Sequence, residues 1–396
     1  MIQGQDFVFT GLQSWDMTIG SNARDIALQV AQNNRVLYIN APRSLFSKSN
    51  LNIPQNVQRH QENNRVKPAI RRINDNLWVL DYPFAILPMN FLPDGKFFDF
   101  VNRINNRRMY CFVKKTLKTL QFKDYILFID NDMFRSFYAK EYLAPSLTLY
   151  YRRDQLTTGY WKNHAPRIEP LLSAKCDCVV ANSEHLATMM KPYNLCAFNI
   201  GQGVDLSNYD ADRVYEMPQD MKIIARPIVG YAGALTSQRL DLELIYSLAQ
   251  SMSNISFVFV GGEDAKFASH KIHSLGNVYF LGFKNFPLIP QYIAAFDVCI
   301  NPQLLNEVTI GNYPRKVDEY LALGKPIVAT KTETMTIFEH YTWNCQGVDQ
   351  YKNAIQQALL TTKDKDQKQE RVAFAHTHTW QESVSKLYCI INSIKK

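Results

Sequence analysis

Residues 311–330, GNYPRKVDEYLALGKPIVAT, read as a loop, a short helix, a glycine stop and a buried strand. Pro314 suits the first turn of a helix, where its missing N–H goes unused, and Gly324 followed by Lys325 and Pro326 is a stop signal. The spacing predicts a helix over 314–323, with Val317, Tyr320 and Leu321 on its buried side and Lys316 and Glu319 together on a neighbouring face. A helix N-terminus offers free N–H groups and the positive end of a dipole, which suits a diphosphate. A carboxylate two turns in can accept hydrogen bonds from both ribose hydroxyls. Taken alone, the helix favours a plainer arrangement, a surface ion pair of Arg315 with Glu319 four residues on. Its setting in the chain reverses that preference.

At 396 residues the chain is too long for one ordinary core, and two domains of roughly 150–200 residues are expected. A hydrophobic content of 46% with 20% charged residues belongs to the soluble globular class. No apolar run approaches the ~20 residues of a membrane span, and residues 1–20 lack the basic start and apolar block of a signal peptide, so a cytoplasmic protein is expected. The seven cysteines have neither metal nor redox spacing; buried reduced thiols follow, with Cys176 and Cys178 on one face of a strand. The net charge of +8 favours an anionic partner, whether nucleotide, nucleic acid or phospholipid surface.

Working outward to the N-terminus, residues 6–12 (strand), 20–32 (helix) and 35–41 (strand) make a right-handed βαβ unit with a parallel sheet. The intervening loop opens at the carboxyl edge of that sheet, where ligands bind in such folds, and makes Ser14, Trp15, Asp16 and Thr18 site candidates by position. No G-x-G-x-x-G follows the first strand, which argues against a dinucleotide-dependent dehydrogenase. Residues 47–76 read as a surface insertion without regular structure and 77–81 as a strand. The apolar, proline-broken stretch 84–93 reads as a loop, either a cap on the core or a greasy lip for an acceptor. Residues 101–123 carry seven basic residues and no acid, with Val101, Ile104, Phe112, Val113, Leu117 and Leu120 as one helical stripe. That suits a sheet-covering helix or one docking on an anionic bilayer, and nucleic-acid binding less, because no recognised module accompanies the charge. Strands follow at 125–129, 147–151, 178–182 and 197–200. Asp130-Asn131-Asp132 imitates a metal-binding D-x-D, but three residues recur too easily to claim a metal.

The polar stretch 206–227 reads as a linker, after which the α/β rhythm starts afresh: strands at 228–232, 255–260, 278–281, 298–301 and 326–329, with helices at 240–251, 288–295 and 314–323. The expected fold is therefore α/β, with two Rossmann-like doubly wound domains. The first spans 1–205 and the second 206–375, and a C-terminal helix over 376–396 crosses back to the first.

The ordered phrases IVGYAGALTSQRLDL (228–242), FVFVGG (257–262), NVYFLGF (277–283), FDVCINP (296–302) and PRKVDEYLALGKPIVAT resemble the nucleotide-binding half of GT-B glycosyltransferases. His378-Thr379-Trp380 is similar to the motif before the helix that returns to the N-terminal domain. The N-terminal half resembles the family in layout alone. The nearest likeness is to bacterial retaining (group 1, family 4-like) enzymes of cell-surface polysaccharide synthesis. That resemblance implies two domains facing across a cleft, a nucleotide-sugar donor (UDP-linked first, GDP-linked next), a glycan or lipid-linked acceptor, and no metal or other cofactor. The basic stretch 101–123 is compatible with such an acceptor through peripheral contact with an anionic membrane, at the inner face of the cell membrane. It places Glu319 on the donor ribose, Asn312, Tyr313, Arg315 and Lys316 at the diphosphate with Arg239 and Gly233 in the first loop of the domain, and Phe283 beside the base. Where the family commonly has a glutamate, this chain has Gly311, so Glu307 is the nearest carboxylate for the sugar. An inverting enzyme would need a base, for which Asp16, Asp132, Asp154 and His164 are candidates. A sugar-nucleotide epimerase and a non-catalytic nucleotide-sugar or membrane-bound scaffold are the alternatives.

Overall fold

The computed structural model describes residues 1–17, 21–45, 69–89, 91–154, 162–307 and 309–395. They belong to two compact units, Met1–Gly201 with Ser383–Lys396, and Gln202–Glu382.

The first unit holds β1 (Asp6–Thr10), β2 (Arg35–Ile39), β3 (Ile70–Arg72), β4 (Leu77–Leu80), β5 (Ile126–Asp130), β6 (Leu147–Arg152), β7 (Cys178–Ala181) and β8 (Ala197–Asn199). They pair in the order β3-β4-β2-β1-β5-β6-β7-β8, parallel throughout except for β3 against β4. Around them lie α1 (Asn22–Val30), α2 (Lys96–Thr119), α3 (Ala139–Leu143), α4 (Ala165–Lys175) and α5 (Glu184–Met190). β1, β5, β6 and β7 are buried at every residue, which is why they read as continuous apolar runs: a parallel sheet covered on both faces has no wet side to alternate toward.

The second unit has β9 (Ile228–Ala232), β10 (Ser256–Val260), β11 (Val278–Phe280), β12 (Val298–Asn301), β13 (Ile327–Thr330) and β14 (Trp343–Cys345), all parallel, in the order β11-β10-β9-β12-β13-β14. Its helices are α6 (Leu242–Ser251), α7 (Ala265–Ala268), α8 (Ile289–Ala295), α9 (Arg315–Ala322), α10 (Gly347–Leu360) and α11 (Lys365–Ala375). α12 (Trp380–Ile394) starts in this unit and continues in the first. One core packs α8, α9 and α11 on one face of the sheet, and a second packs α6 and α10 on the other. The chain order of these strands is that of a doubly wound dinucleotide-type sheet, and its direction reverses between β9 and β12.

Several expectations change. Residues 70–72, expected to lack regular structure, form β3; the rest of that expected insertion up to residue 68 lies outside the described residues. Cys176 ends α4 and only Cys178 is in a strand, so the two do not share a strand face; both are buried, whereas Cys111 and Cys389 are exposed. The helix expected from residue 101 begins at Lys96, because Phe98 joins its buried side, and ends at Thr119, because Gln121 adopts a φ of +55°. Ile104 faces outward: Asn102, Asn105 and Asn106 occupy the buried side instead, with Asn105 bonded to both backbone groups of Leu87 and Asn106 to the Phe134 carbonyl. The stretch read as a linker packs on the second unit's core through Leu206, Tyr209, Met221 and Ile224. Residues 202–205 also belong to that unit, where Val204 bridges to Thr379 and a Cβ on Gly203 would meet Trp380 at 2.3 Å.

Candidate functional site

In the second unit, the loops after β9 and β12 meet at the reversal point of the sheet, at the carboxyl ends of the strands. Leu240 bridges to Gln303, the Leu304 N–H donates to the Arg239 carbonyl at 2.9 Å, and the Asn306 amide donates to the Gln238 carbonyl at 2.8 Å. A third loop closes in behind them. Gly261 has φ +155°, and a Cβ there would lie 1.9 Å from the Gly233 carbonyl oxygen; Gly233 itself has φ +149°, and its Cβ would lie 2.0 Å from Lys316 Cε. Glycine at 233 thus makes room for the Lys316 side chain, whose ammonium sits 5.4 Å from the centre of the Tyr231 ring.

α9 enters this space. Val317, Tyr320 and Leu321 are fully buried, as their spacing implied, and Tyr320 accepts the Ala232 N–H at 2.9 Å, which ties the helix to the end of β9. Pro314 gives no side-chain cap, but the Arg315 and Val317 N–H groups already bond the Tyr313 and Pro314 carbonyls at 3.1 and 2.8 Å. The first turn therefore offers fewer free N–H groups than a bare helix end, and side-chain cations carry more of the local positive charge. Among the described residues, Arg239, Arg315 and Lys316 make no ion pair, and Arg315 Nε is buried without a hydrogen-bond partner. The Arg315–Glu319 surface pair is not formed.

Glu319 is half-buried, and protein packed around its carboxyl raises its pKa, with Lys316 and Arg315 pulling the other way. The buried Tyr209 hydroxyl faces this carboxylate: burial and the neighbouring carboxylate raise the Tyr209 pKa, and the hydroxyl in turn helps to hold the Glu319 pKa down. Next in sequence, Asp318 is fully buried and accepts from His378 Nδ1 at 2.9 Å; burial raises its pKa and His378 opposes the rise. Asn312 is half-buried with its carbonyl held by the Thr334 hydroxyl at 3.1 Å, while Arg239, Phe283 and Glu307 are exposed. Gly311 has φ +79°, where an L-residue such as glutamate is strained. The missing glutamate thus coincides with a backbone conformation that glycine tolerates. Sequence reasoning missed Tyr209, hidden in a stretch read as linker, and gave Asp318 and His378 no part in the site. A tyrosine amid polar residues was the only available signal for the first.

The carboxyl edge of the first unit is different. Arg71 grips both oxygens of Asp16 at 3.1 and 2.6 Å and also reaches Asp81 at 3.1 Å. Arg153 pairs with Asp130 at 2.8 Å and with Asp154 at 2.7 Å, and Arg135 pairs with Asp132 at 2.6 Å. His164 is buried, stacked 4.1 Å from Phe98, with Nδ1 3.3 Å from Asp94. The Trp15 N–H donates to Asn40 at 2.8 Å, and Thr18 lies outside the described residues. No group of three or more His, Cys, Asp or Glu side chains among the described residues is placed to hold a metal ion.

Residues 226–361 match the family described as Glycosyl transferases group 1. The putative teichuronic acid biosynthesis glycosyltransferase TuaH of Bacillus subtilis is 24% identical over 177 residues, a match that takes in 43% of this chain and 42% of TuaH. Among solved structures, sucrose-phosphate synthase from Thermosynechococcus elongatus is similar at 13% identity and TM-score 0.66, covering 98% of this chain and 99% of its own. HepE of Anabaena in complex with UDP and glucose is similar at 17% identity and TM-score 0.63, covering 98% and 100%. The E. coli trehalose-6-phosphate protein bound with UDP-2-fluoro glucose is similar at 12% identity and TM-score 0.67, covering 99% of each chain. Such low identities speak for the fold, and the family match speaks for the second unit. The chain has the GT-B fold, and its residues 226–361 match the glycosyltransferase group 1 family.

Proposed function

We propose that this chain moves a sugar from a nucleotide-sugar donor, a UDP-sugar first and a GDP-sugar next, to a glycan or lipid-linked acceptor of a cell-surface polysaccharide, with retention and without a metal. The observation that carries this reading is the convergence of Lys316, Arg315 and the Glu319 carboxylate at the reversal point between β9 and β12. HepE crystallised with UDP and the name of TuaH support the donor and pathway parts of it. In this mechanism Glu319 accepts the ribose hydroxyls, and Arg315 and Lys316 meet the charge that grows on the diphosphate as the glycosidic bond breaks. The acceptor hydroxyl attacks the anomeric carbon from the leaving-group side, and its proton passes to a leaving phosphate oxygen. Asp16 and Asp154 already serve arginines, which leaves the donor phosphate as the better proton acceptor. Glu307, exposed on the loop after β12, is the carboxylate available to the sugar. The setting proposed is the cytoplasm, at the inner face of the cell membrane.

The test is a thermal-shift panel of UDP, GDP, ADP and their sugars, run with and without a chelator. A ligand that binds only the native state at a hundred times its Kd stabilises by about 2.7 kcal/mol, a readily measured rise in Tm. A shift with UDP or UDP-sugars that survives the chelator is expected. No shift with any nucleotide would favour the scaffold, and donor isomerised without an acceptor would favour the epimerase.

A further inference from the structure

α2 and the turn before it carry an outward face unlike the rest of the first unit. Phe91, Phe97 and Phe100 are 70%, 61% and 61% exposed, and Ile104 is 42% exposed. These three are among the four largely exposed phenylalanines of that unit's described residues, and they fall within ten positions. At 100° per residue, Phe97, Phe100 and Ile104 fall within about 60° of one another on α2, a stripe roughly 10 Å long. The exposed cations Lys96, Arg103 and Arg107 flank this stripe, and Lys114, Lys115 and Lys118 continue the same side toward the end of the helix. The acid in this helix, Asp99, is half-buried and bonded to Arg167 at 2.9 Å, so no free carboxylate offsets those cations.

The opposite side of α2 is firmly seated. Phe98, Val113 and Leu117 join the core, and Asn105 and Asn106 hold the neighbouring backbone. Arg108 lies 4.2 Å from the Phe84 ring and donates to the Ala85 carbonyl, which fastens the preceding loop along the helix. That loop buries Ile86 and Met89 and leaves Leu87 and Phe91 outside. The exposed aromatics therefore sit on a fixed platform, beside a field of one sign. A soluble partner's acidic groove would satisfy the cations, but three phenylalanines with their rings outward fit better a surface that is anionic above and apolar immediately beneath.

We propose that this face of α2, with Phe91, docks the protein on an anionic phospholipid bilayer. The helix lies in the interface, Phe97, Phe100 and Ile104 entering the acyl boundary while Arg103, Arg107 and the lysines meet the headgroups. The proposal stands apart from the donor site, since bilayer docking and sugar transfer can each fail without the other.

The test uses the full chain in sedimentation with vesicles of phosphatidylcholine alone and of phosphatidylcholine mixed with phosphatidylglycerol. The wild-type protein should bind the anionic vesicles and not the neutral ones. Replacing Arg103, Arg107 and Lys114 by Gln should lower the partition coefficient roughly a hundredfold at low salt, about fivefold per charge. Phe97→Ser with Phe100→Ser should abolish the binding that persists at high salt, with an unchanged Tm for UDP-bound protein as the folding control. In Phe100→Trp, fluorescence should shift to the blue on adding anionic vesicles. Equal partition of wild-type protein on both vesicle types, or of the substituted variants and wild type, would overturn the proposal, as would a tryptophan whose emission does not move. Those results would leave an acidic protein as the occupant of this face.

Discussion

Both sheets of this protein end in polar loops at their carboxyl edges, yet the two edges treat charge in opposite ways. In the first unit Asp16, Asp130, Asp132 and Asp154 all lie in ion pairs with Arg71, Arg135 or Arg153. In the second unit Arg315 and Lys316 make no ion pair among the described residues, and Arg315 Nε is buried without a partner beside the Glu319 carboxyl and the Tyr209 hydroxyl. Cations left without a carboxylate partner are what the proposed diphosphate would meet at this edge. At the first edge the arginines hold the aspartates, while Gln13 Oε1 and Asn131 Nδ2 are buried without a partner, so what separates the two edges is the pairing of charges and not the satisfaction of every polar atom.

The comparison breaks most decisively at Glu319. Glu319→Ala is expected to abolish measurable sugar transfer and to weaken UDP binding by about 100-fold, the worth of two hydrogen bonds to a charged group at ~1.5 kcal/mol each, read by calorimetry. Unchanged affinity would remove the ribose assignment. The pH dependence sharpens the same point. Because burial raises the Glu319 pKa, the carboxylate is lost on acidification earlier than an ordinary glutamate would be. UDP affinity should therefore fall as pH drops toward that raised value. Stability of the free protein should move the other way, since a raised folded-state pKa contributes stability below the unfolded value and loses it as pH rises through the folded one. Glu319→Gln should flatten both trends.

Gly233→Ala drives a methyl into the Lys316 side chain, with backbone that an L-residue rarely adopts. A loss of about 1–3 kcal/mol in chemical denaturation is expected, with weaker UDP binding as Lys316 is displaced. Gly311→Glu, which restores the family's acid, is expected to cost about 1–2 kcal/mol through its left-handed φ and not to raise the transfer rate. A faster enzyme would show that the loop tolerates the residue and that Glu307 is no substitute. Asp154→Asn should have the smallest effect, within about 0.5 kcal/mol of wild-type stability, because its pair with Arg153 is half-exposed and Arg153 keeps Asp130. UDP affinity should not change. A large loss of transfer at unchanged UDP affinity would place Asp154 on the acceptor instead.

Much of the architecture was legible in the chain. Strands buried on both faces announce themselves as apolar runs, and the ten residues from Pro314 to Leu323 displayed start, stripe and stop, so α9 was found to within one residue at each end. β3 was not legible: three residues, IRR, carry no apolar alternation and become a strand only by pairing with β4. The outward turn of Ile104 was equally hidden, because asparagines that bond neighbouring backbone took the buried side that hydrophobicity would have given it. Within the site, Lys316 and Glu319 could be singled out from spacing, whereas Tyr209 could not: more than a hundred positions separate it from Glu319, and only the packing of residues 206–224 on the second core brings the two together.

The sequence by itself determined the two α/β rhythms, the helix at α9 and the placement of Lys316 and Glu319 on one side of it, because backbone periodicity and turn chemistry act over a few residues. Tertiary structure decided which charges are already partnered. Pairing depends on distances between loops that no local pattern encodes, and those distances separate a first edge of arginine-held aspartates from a second edge where Arg315 and Lys316 make no ion pair among the described residues.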